Sequence, residues 1–331
     1  MARGSLQVIY RDYDRTPLLY IIKEMAARHE DLELRIEHRT HADPYESAFL
    51  AGEVDLVCES FRFLFSARRE GHPVRCLAVT HNFIVEKILT RPGIHTVADL
   101  AGQTIALRGT QSTQLTSRHW LKHLGLEGKV RFLVCDDSEV GRWRQWVKVA
   151  SGEADAVICS PLYLEPALHA GLHLLDAPAL PQIGPLYFAA LGPFVTAHED
   201  DLRRFIRALY RALDTFHNDA DTALAIMSGE PARLMGIKDD TALRRQYERL
   251  RSALDTKPIP RLDALANTFA MLGEEVGGFD GINPLTVCDL RYVLELEESG
   301  FMEQLRPRSS FLPAGESATE RTASHTARTR P

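Results

Sequence analysis

Several things are scarce in this 331-residue chain, and each scarcity removes a class of protein. No uninterrupted apolar stretch approaches the ~18 residues that a spanning helix needs, so no membrane insertion is expected. Positive charge is short: 39 Lys and Arg against 45 Asp and Glu leave a net charge of -6 with no basic stripe, which argues against a nucleic-acid partner. The five cysteines, Cys58, Cys76, Cys135, Cys159 and Cys288, are odd in number, widely spaced and mostly inside apolar runs. They read as reduced core residues and not as a disulfide framework. No GxGxxG or P-loop is present, no cysteine has a nucleophile pattern around it, and no cofactor is expected. The opening Met-Ala-Arg-Gly-Ser lacks an apolar segment and a small-residue cleavage site, so a cytoplasmic location is expected, or a periplasmic one if a leader has been removed.

What remains is ordinary for a globular protein with room for two lobes, at 45% hydrophobic and 25% charged residues. The first segment is the most informative. Leu6, Val8 and Ile9 form a short apolar run suited to a buried strand, and Arg11, Asp12, Asp14 and Arg15 follow as a charged turn. Thr16 before Pro17 reads as an N-cap opening a helix whose apolar face is Leu18, Leu19, Ile22, Met25 and Ala26. A strand, a polar turn and a helix N-terminus make a place where small anions bind, because unpaired N–H groups and the helix dipole favour negative charge. The same charges would also serve a solvated surface turn.

A repeat organises the rest. Gly52-Glu-Val-Asp-Leu-Val-Cys-Glu-Ser60 recurs as Gly152-Glu-Ala-Asp-Ala-Val-Ile-Cys-Ser160, each copy a helix-terminating glycine followed by a buried strand. Strands are expected at Leu32 to Glu37, Val74 to Thr80, Thr104 to Leu107 and Val130 to Val134, with helices between, among them Gln114 to Leu124 and Val140 to Ser151. Strand-like runs from Phe83 to Leu89 and from Leu186 to Leu191 would carry the chain between two α/β lobes. Lobe one would comprise 1–85 plus 189–304, lobe two 86–188, and the Ser/Thr/Arg-rich 305–331 a disordered tail. The amphipathic helices Glu199 to Phe216, Ala220 to Met227, Thr241 to Leu254 and Leu262 to Glu275 would pack around the first sheet.

The stretches Gly93-Ile-His-Thr-Val-Ala-Asp-Leu-Ala-Gly-Gln-Thr-Ile-Ala-Leu107, Ser151 to Ala156, Glu165 to Gly171, Gly281 to Thr286, Leu290-Arg-Tyr and Glu298 to Phe301 resemble the NMT1/THI5-like and SsuA-like superfamily. The resemblance implies an α/β, two-lobed type II periplasmic binding-protein-like fold with a ligand cleft between lobes. Asp12-Tyr-Asp-Arg-Thr16 is similar to the start of 4,5-dihydroxyphthalate decarboxylase-type enzymes, and His81, Arg108, Gln111 and Thr113 sit where that group has similar residues. Pro17-Leu-Leu departs from that group's arginine-containing continuation. The cysteine-rich motif of THI5-type pyrimidine synthases is absent, which speaks against that activity.

In a two-lobed fold, ligands bind between lobes at strand C-termini and helix N-termini. One wall would carry Asp12, Asp14, Arg15 and Thr16 with Glu59 and Ser60. The other would carry Arg108, Gly109, Thr110, Gln111, Ser112 and Thr113, a loop able to wrap an anion, with Arg108 or Arg15 as carboxylate clamp. Asn82, Ser160, Tyr163 and Tyr187 would orient hydroxyl or carboxyl groups. Under the resemblance to the decarboxylases the protein is a cytosolic carboxy-lyase for a small hydroxylated aromatic or cyclic carboxylate. His81 would be the general acid, with Asp12 or Asp14 sharing that role. The second reading is a solute receptor of an ABC importer for a sulfonate-, taurine- or pyrimidine-like molecule, with a permease as partner. A homo-oligomer is possible under either. His119 and His123, four apart, have no third ligand in view, so no metal is assigned. Trp143 and Trp146 read as core or groove packing.

Overall fold

Alternation along the first strand sets the first sheet: Leu6, Val8 and Tyr10 face one apolar cluster and Ile9 the other, so both faces are covered. The computed structural model describes residues 4–39, 42–59, 61–184, 186–277 and 283–305. Among them are ten strands, β1 (Gly4–Tyr10), β2 (Leu32–His38), β3 (Leu56–Glu59), β4 (Val74–Val79), β5 (Lys87–Thr90), β6 (Thr104–Arg108), β7 (Arg131–Cys135), β8 (Ala156–Cys159), β9 (His173–Leu174) and β10 (Tyr187–Leu191). They form two sheets, ordered β2-β1-β3-β10-β4 and β7-β6-β8-β5-β9. In the first, β1 runs parallel to β2 and β3 while β10 enters antiparallel between β3 and β4. In the second, β6 is parallel to β7 and β8, and β5 is antiparallel to β8 and β9. The chain is thus α/β and two-lobed.

The repeat has one structural meaning in both lobes. Gly52 and Gly152 take the left-handed φ, +72° and +81°, that ends the preceding helix and that a side chain would strain. Three residues later Asp55 Oδ2 accepts the Gln7 N–H at 2.7 Å, and Asp155 Oδ2 accepts the Thr104 N–H at 2.8 Å. Each aspartate therefore fastens the neighbouring strand, β1 or β6, to the turn before β3 or β8.

Helices follow from apolar spacing. In Glu199–Asn218, Leu202, Phe205, Ile206, Leu209, Leu213 and Phe216 recur on one face and are fully buried against β1 and the Thr16–His29 helix. Each such side chain contributes roughly 1.5–3 kcal/mol of burial. The Leu262–Val276 helix does more than pack on the first sheet: Ala264, Leu265 and Leu272 join that lobe's core, while Thr116 Oγ1 of the Gln111–His123 helix lies 4.0 Å from Met271 Sδ.

Three expected elements differ. Thr16 is not the cap of its helix: the chain first makes a 3-10 turn at Tyr13–Arg15, Arg15 is the N-cap, and Thr16 Oγ1 donates to Tyr10 OH at 3.1 Å. The expected Val140–Ser151 helix is broken: Val140 ends a short helix at Asp137–Val140, Gly141 (φ +84°) and Trp143 (φ +60°) interrupt the run, and the helix resumes only at Trp146–Ala150. From Phe83 to Leu89 the strand begins only at Lys87. Ahead of it the two crossing segments lie side by side, with Ile84 N–H donating to Leu180 O at 2.9 Å and Gln182 N–H to Asn82 O at 3.0 Å. Leu305 closes the Phe301–Leu305 helix, and the remainder of the expected tail lies outside the described residues, as do Gly281 and Ile282.

Candidate functional site

Between the sheets lies a cleft with about 100 Å³ open to the centres of water molecules. The turn after β1 supplies Arg11, Asp12, Asp14 and Arg15; the end of β6 and the first turns of the Gln111–His123 helix supply Arg108, Ser112, Thr113 and Thr116. The crossing segments supply Ile84, Val85, Glu86, Gln182 and Ile183, and Phe61, Trp143, Ser160, Thr268 and Met271 complete the lining.

Arg108 is the best-prepared cation of the group. It ends β6 only 6% exposed, its Nε donates to Asp137 Oδ1 and Oδ2 at 2.9 and 2.8 Å, and its Nη2 also binds Asp137. Gln145 Nε2 steadies the same carboxylate at 3.2 Å, and the guanidinium lies 4.6 Å from the Trp143 ring centre. Two faces of the fork are thereby fixed, and Nη1 is uncommitted among the described residues. Across the cleft Arg15, 2% exposed, sits 3.0 Å from Asp12 and 3.3 Å from Asp14. Arg142 of the second lobe binds Asp12 of the first, so an ion pair spans the cleft.

The loop after β6 is built for close approach. Gly109 N–H donates to Cys135 O at 2.8 Å, and a Cβ on Gly109 would meet that oxygen at 3.1 Å. Thr110 Oγ1 donates to Thr113 Oγ1 at 2.8 Å, leaving Ser112 and Thr113 in the lining and Gln111 exposed outside it.

The structure therefore brings Asp12, Asp14, Arg15, Arg108, Ser112, Thr113 and Ser160 to one cleft. It places others elsewhere. Thr16 is buried under Tyr10, and Tyr187 is wholly buried in β10, 5.2 Å from the Phe61 ring. Asn82 is committed to the 255–261 loop, donating to Asp255 Oδ2 at 2.9 Å and Ile259 O at 2.8 Å and accepting the Arg261 N–H at 2.7 Å. Tyr163 is half-buried beyond the lining; burial raises its hydroxyl pKa, and Arg142 and Arg108 oppose that rise. Glu59 ends β3 opposite Tyr187, and Ser60 lies outside the described residues.

His81 is the main correction. It is 2% exposed, lines a separate small cavity and has no partner for Nδ1. Burial, with the Arg15 charge adding to it, pushes its pKa down to about 3, so the ring is neutral at pH 7 and holds no proton to give. Its Cβ packs on Gly184, where a Cβ would come within 2.7 Å. Arg11, Glu86, Gln182 and Trp143 are among the lining residues missed as site groups. Glu86 sits inside a run that reads as strand, Gln182 in a proline-rich segment without periodicity, and Trp143 in a run that reads as helix.

Comparisons agree with the two-lobed fold. The model of the family described as NMT1/THI5 like matches residues 28–223. No curated protein matches the chain in sequence. The periplasmic sulfonate-binding protein SsuA from Methylobacillus flagellatus superposes with a TM-score of 0.67 at 13% identity, covering 92% of this chain and 97% of that one. The periplasmic aliphatic sulphonate binding protein SsuA from Escherichia coli gives 0.62 at 16% identity, with 82% and 86% covered. A ligand binding component of an ABC-type import system from Staphylococcus aureus gives 0.63 at 10% identity, with 88% and 98% covered. At these identities the likeness is one of fold.

The lyase expectation is overturned. These relatives are described as binding components of import systems and not as enzymes, and the intended general acid is a neutral, packed histidine outside the cleft. The cytoplasmic expectation, tied to that reading, conflicts with the same descriptions. No helix among the described residues is long and apolar enough to cross a membrane.

Proposed function

The chain belongs to the NMT1/THI5-like family, and on that premise we propose that it is the solute-binding component of an import system, holding a small anionic molecule between its lobes and delivering it to a permease. The observation that carries this reading is a cleft whose cations come from both lobes: Arg11 and Arg15 from the turn after β1, Arg108 from the end of β6. A negatively charged solute touching both sets draws the lobes together, which is how a two-lobed receptor couples binding to shape. Arg108, with its position set by Asp137 and Trp143 beforehand, loses little entropy on binding. Solutes of the sulfonate, taurine or pyrimidine type fit the reading, the first in keeping with the names of the two SsuA proteins. A location outside the cytoplasm follows from the same role.

Calorimetric titration of the chain with a panel of small sulfonates, carboxylates and aminopyrimidines tests it. A bound member is expected to lose about 10- to 100-fold in affinity in Arg108→Ala, the worth of one charge-assisted contact. Binding without chemical change of the solute supports a receptor. No binding across the panel at millimolar concentration, or full affinity in Arg108→Ala, would overturn the reading.

A further inference from the structure

Cys76 and Cys288 meet on the outer edge of the first sheet. β4 is the last strand of that sheet, and β10 pairs with one side of it. On the other side Cys288 stands opposite Cys76 in a parallel bridge, with the Asp289 N–H donating to Cys76 O at 2.8 Å. Residues paired this way carry their side chains to the same face, and their backbones lie about 4.8 Å apart, inside the roughly 4.4–6.8 Å between Cα atoms that a disulfide spans. Both side chains reach one apolar cluster: Cys76 is wholly buried in it, and the half-buried Cys288 packs against it. The approach is fixed on either side of Cys288. Val287 is buried in the same cluster, the Cys288 N–H donates to Leu285 O at 3.0 Å, and Asp289 is held by Cys76 itself. Among the described residues no other cysteines are so placed. Cys58 belongs to the cluster on the opposite face of the sheet, and Cys135 and Cys159 lie on β7 and β8 with β6 between them, about twice the strand spacing apart.

We propose that Cys76 and Cys288 are a disulfide-forming pair, joined by exchange with a disulfide-bearing oxidant and fastening the C-terminal helices to the first sheet. Cys288, half-buried, is the thiol that an oxidant reaches; a hydrogen bond from Cys76 holds its pKa below the ordinary value, whereas burial raises that of Cys76. The Cys288 thiolate attacks one sulfur of the oxidant, forming a mixed disulfide and expelling the other sulfur. The Cys76 sulfur then attacks Cys288 Sγ, and the second half of the oxidant leaves. The two cysteines are thereby oxidised, the oxidant's disulfide is reduced to two thiols, and the two cysteine protons end on those thiols. The new bond closes a loop that contains both crossing segments, the whole second sheet and the Glu199–Asn218 helix, and long loops restrict the unfolded chain most. Past Cys288 the Arg291–Glu298 and Phe301–Leu305 helices lie on the Glu199–Asn218 helix, where Tyr210 OH donates to Glu297 Oε1 at 2.7 Å. Neither cysteine lines the cleft, so the pair is independent of the solute held there.

The test incubates the full folded chain with oxidised glutathione at neutral pH, then unfolds it, alkylates the remaining thiols and maps the peptides by mass spectrometry. The expected result is loss of two hydrogens, alkylation of Cys58, Cys135 and Cys159 alone, and one linked peptide joining Cys76 to Cys288; the same chain kept in dithiothreitol should alkylate at all five cysteines. Oxidation should also raise the thermal midpoint by about 5 °C or more, the effect of a typical long-loop disulfide on a chain of this size. In Cys288→Ser that rise should be absent and Cys76 should alkylate after the same treatment. The link itself is read on the unaltered chain, so the outcome does not depend on the folding of the variant. Alkylation of all five cysteines after oxidation, glutathione left on Cys288 without a link, or a link between any other pair would overturn the assignment. An unchanged midpoint in the linked chain would overturn the fastening role.

Discussion

Replacing Asp155 with Ala removes the carboxylate that fastens β6 to the turn before β8. Two bonds go with it, Oδ2 to the Thr104 N–H at 2.8 Å and Oδ1 to Arg91 Nε at 2.8 Å; the backbone bonds of residue 155 to Thr104 O and from the Arg91 N–H remain. The first is a charge-assisted bond to a half-buried amide, worth roughly 1.5–2 kcal/mol at the low end of its class. The second involves an arginine 44% exposed, so solvent screening leaves it about 0.5 kcal/mol or less. The sum is about 2 kcal/mol, and Asp155→Asn, which keeps one acceptor oxygen, should lose about half of that. The pH dependence has a definite sign. Burial would raise the Asp155 pKa, but the bonds from Arg91 and Thr104 hold it below the ordinary value. Its contribution is therefore present above the unfolded carboxylate pKa of ~3.9 and is lost as pH falls through the lower folded value, so the gap between Asp155→Ala and the unaltered chain closes in acid. Urea unfolding followed by tryptophan fluorescence suits the measurement, since all three tryptophans, Trp120, Trp143 and Trp146, lie in the part of the chain that builds the second sheet. A midpoint unchanged in Asp155→Ala at pH 7 would refute the fastening role. The matched Asp55→Ala should weaken the first lobe through loss of its bond to Gln7.

Two further outcomes follow from the crossing segments. His81, held neutral with a pKa of about 3 against ~6.5 when unfolded, favours the fold above pH ~6.5 and loses that contribution as pH falls, by about 2 kcal/mol at pH 5; thermal unfolding of His81→Gln should be flatter between pH 7 and 5, and equal slopes would exclude a buried neutral ring. Gly184→Ala places a Cβ 2.7 Å from the His81 Cβ, so urea titration should show a loss of roughly 1–3 kcal/mol, and a midpoint like that of the unaltered chain would show that the segment yields freely.

Much of the scaffold was legible because it obeys simple periods. The alternation of Leu6, Val8 and Ile9, the spacing of Leu202 through Phe216, and the paired Gly-Glu-x-Asp runs each place apolar groups or turns where only one arrangement buries them. The charged turn was legible too: Asp12, Asp14 and Arg15 reach the cleft together with Arg108, as strand ends should. What sequence could not reveal was commitment. Asn82, Thr16 and Tyr187 are the right residue types near the right strands, but Asn82 is held by the 255–261 loop, Thr16 by Tyr10, and Tyr187 by the core. Nothing local distinguishes a polar group that faces a ligand from one that holds a loop. His81 failed for the same reason, since its ordinary pKa suggested an acid and only burial reveals a neutral ring.

The misread elements fall where the chain passes between the lobes or turns into the cleft, and the reason is physical. Phe83 to Leu89 carries enough apolar residues for a strand, yet its first half leaves the sheet and delivers Glu86 to the cleft; Gly141 and Trp143 likewise end a helical run and set the indole against Arg108. Such conflicts between local preference and final structure are expected at functional sites. The apolar clusters respect the same division. Two of them belong to the first sheet and two to the second, with Leu115 as the single side chain of the Gln111–His123 helix packed into the first lobe's core. What crosses the cleft is largely polar: Arg142 to Asp12, Arg249 to Glu165, and Lys122 to Glu274. Exposed pairs of the Lys122–Glu274 kind contribute about 0–1 kcal/mol each and weaken with salt. Under the receptor role proposed above, the binding energy of one small solute, about 8 kcal/mol at micromolar affinity, would be set against these few polar contacts in deciding how the lobes stand to one another.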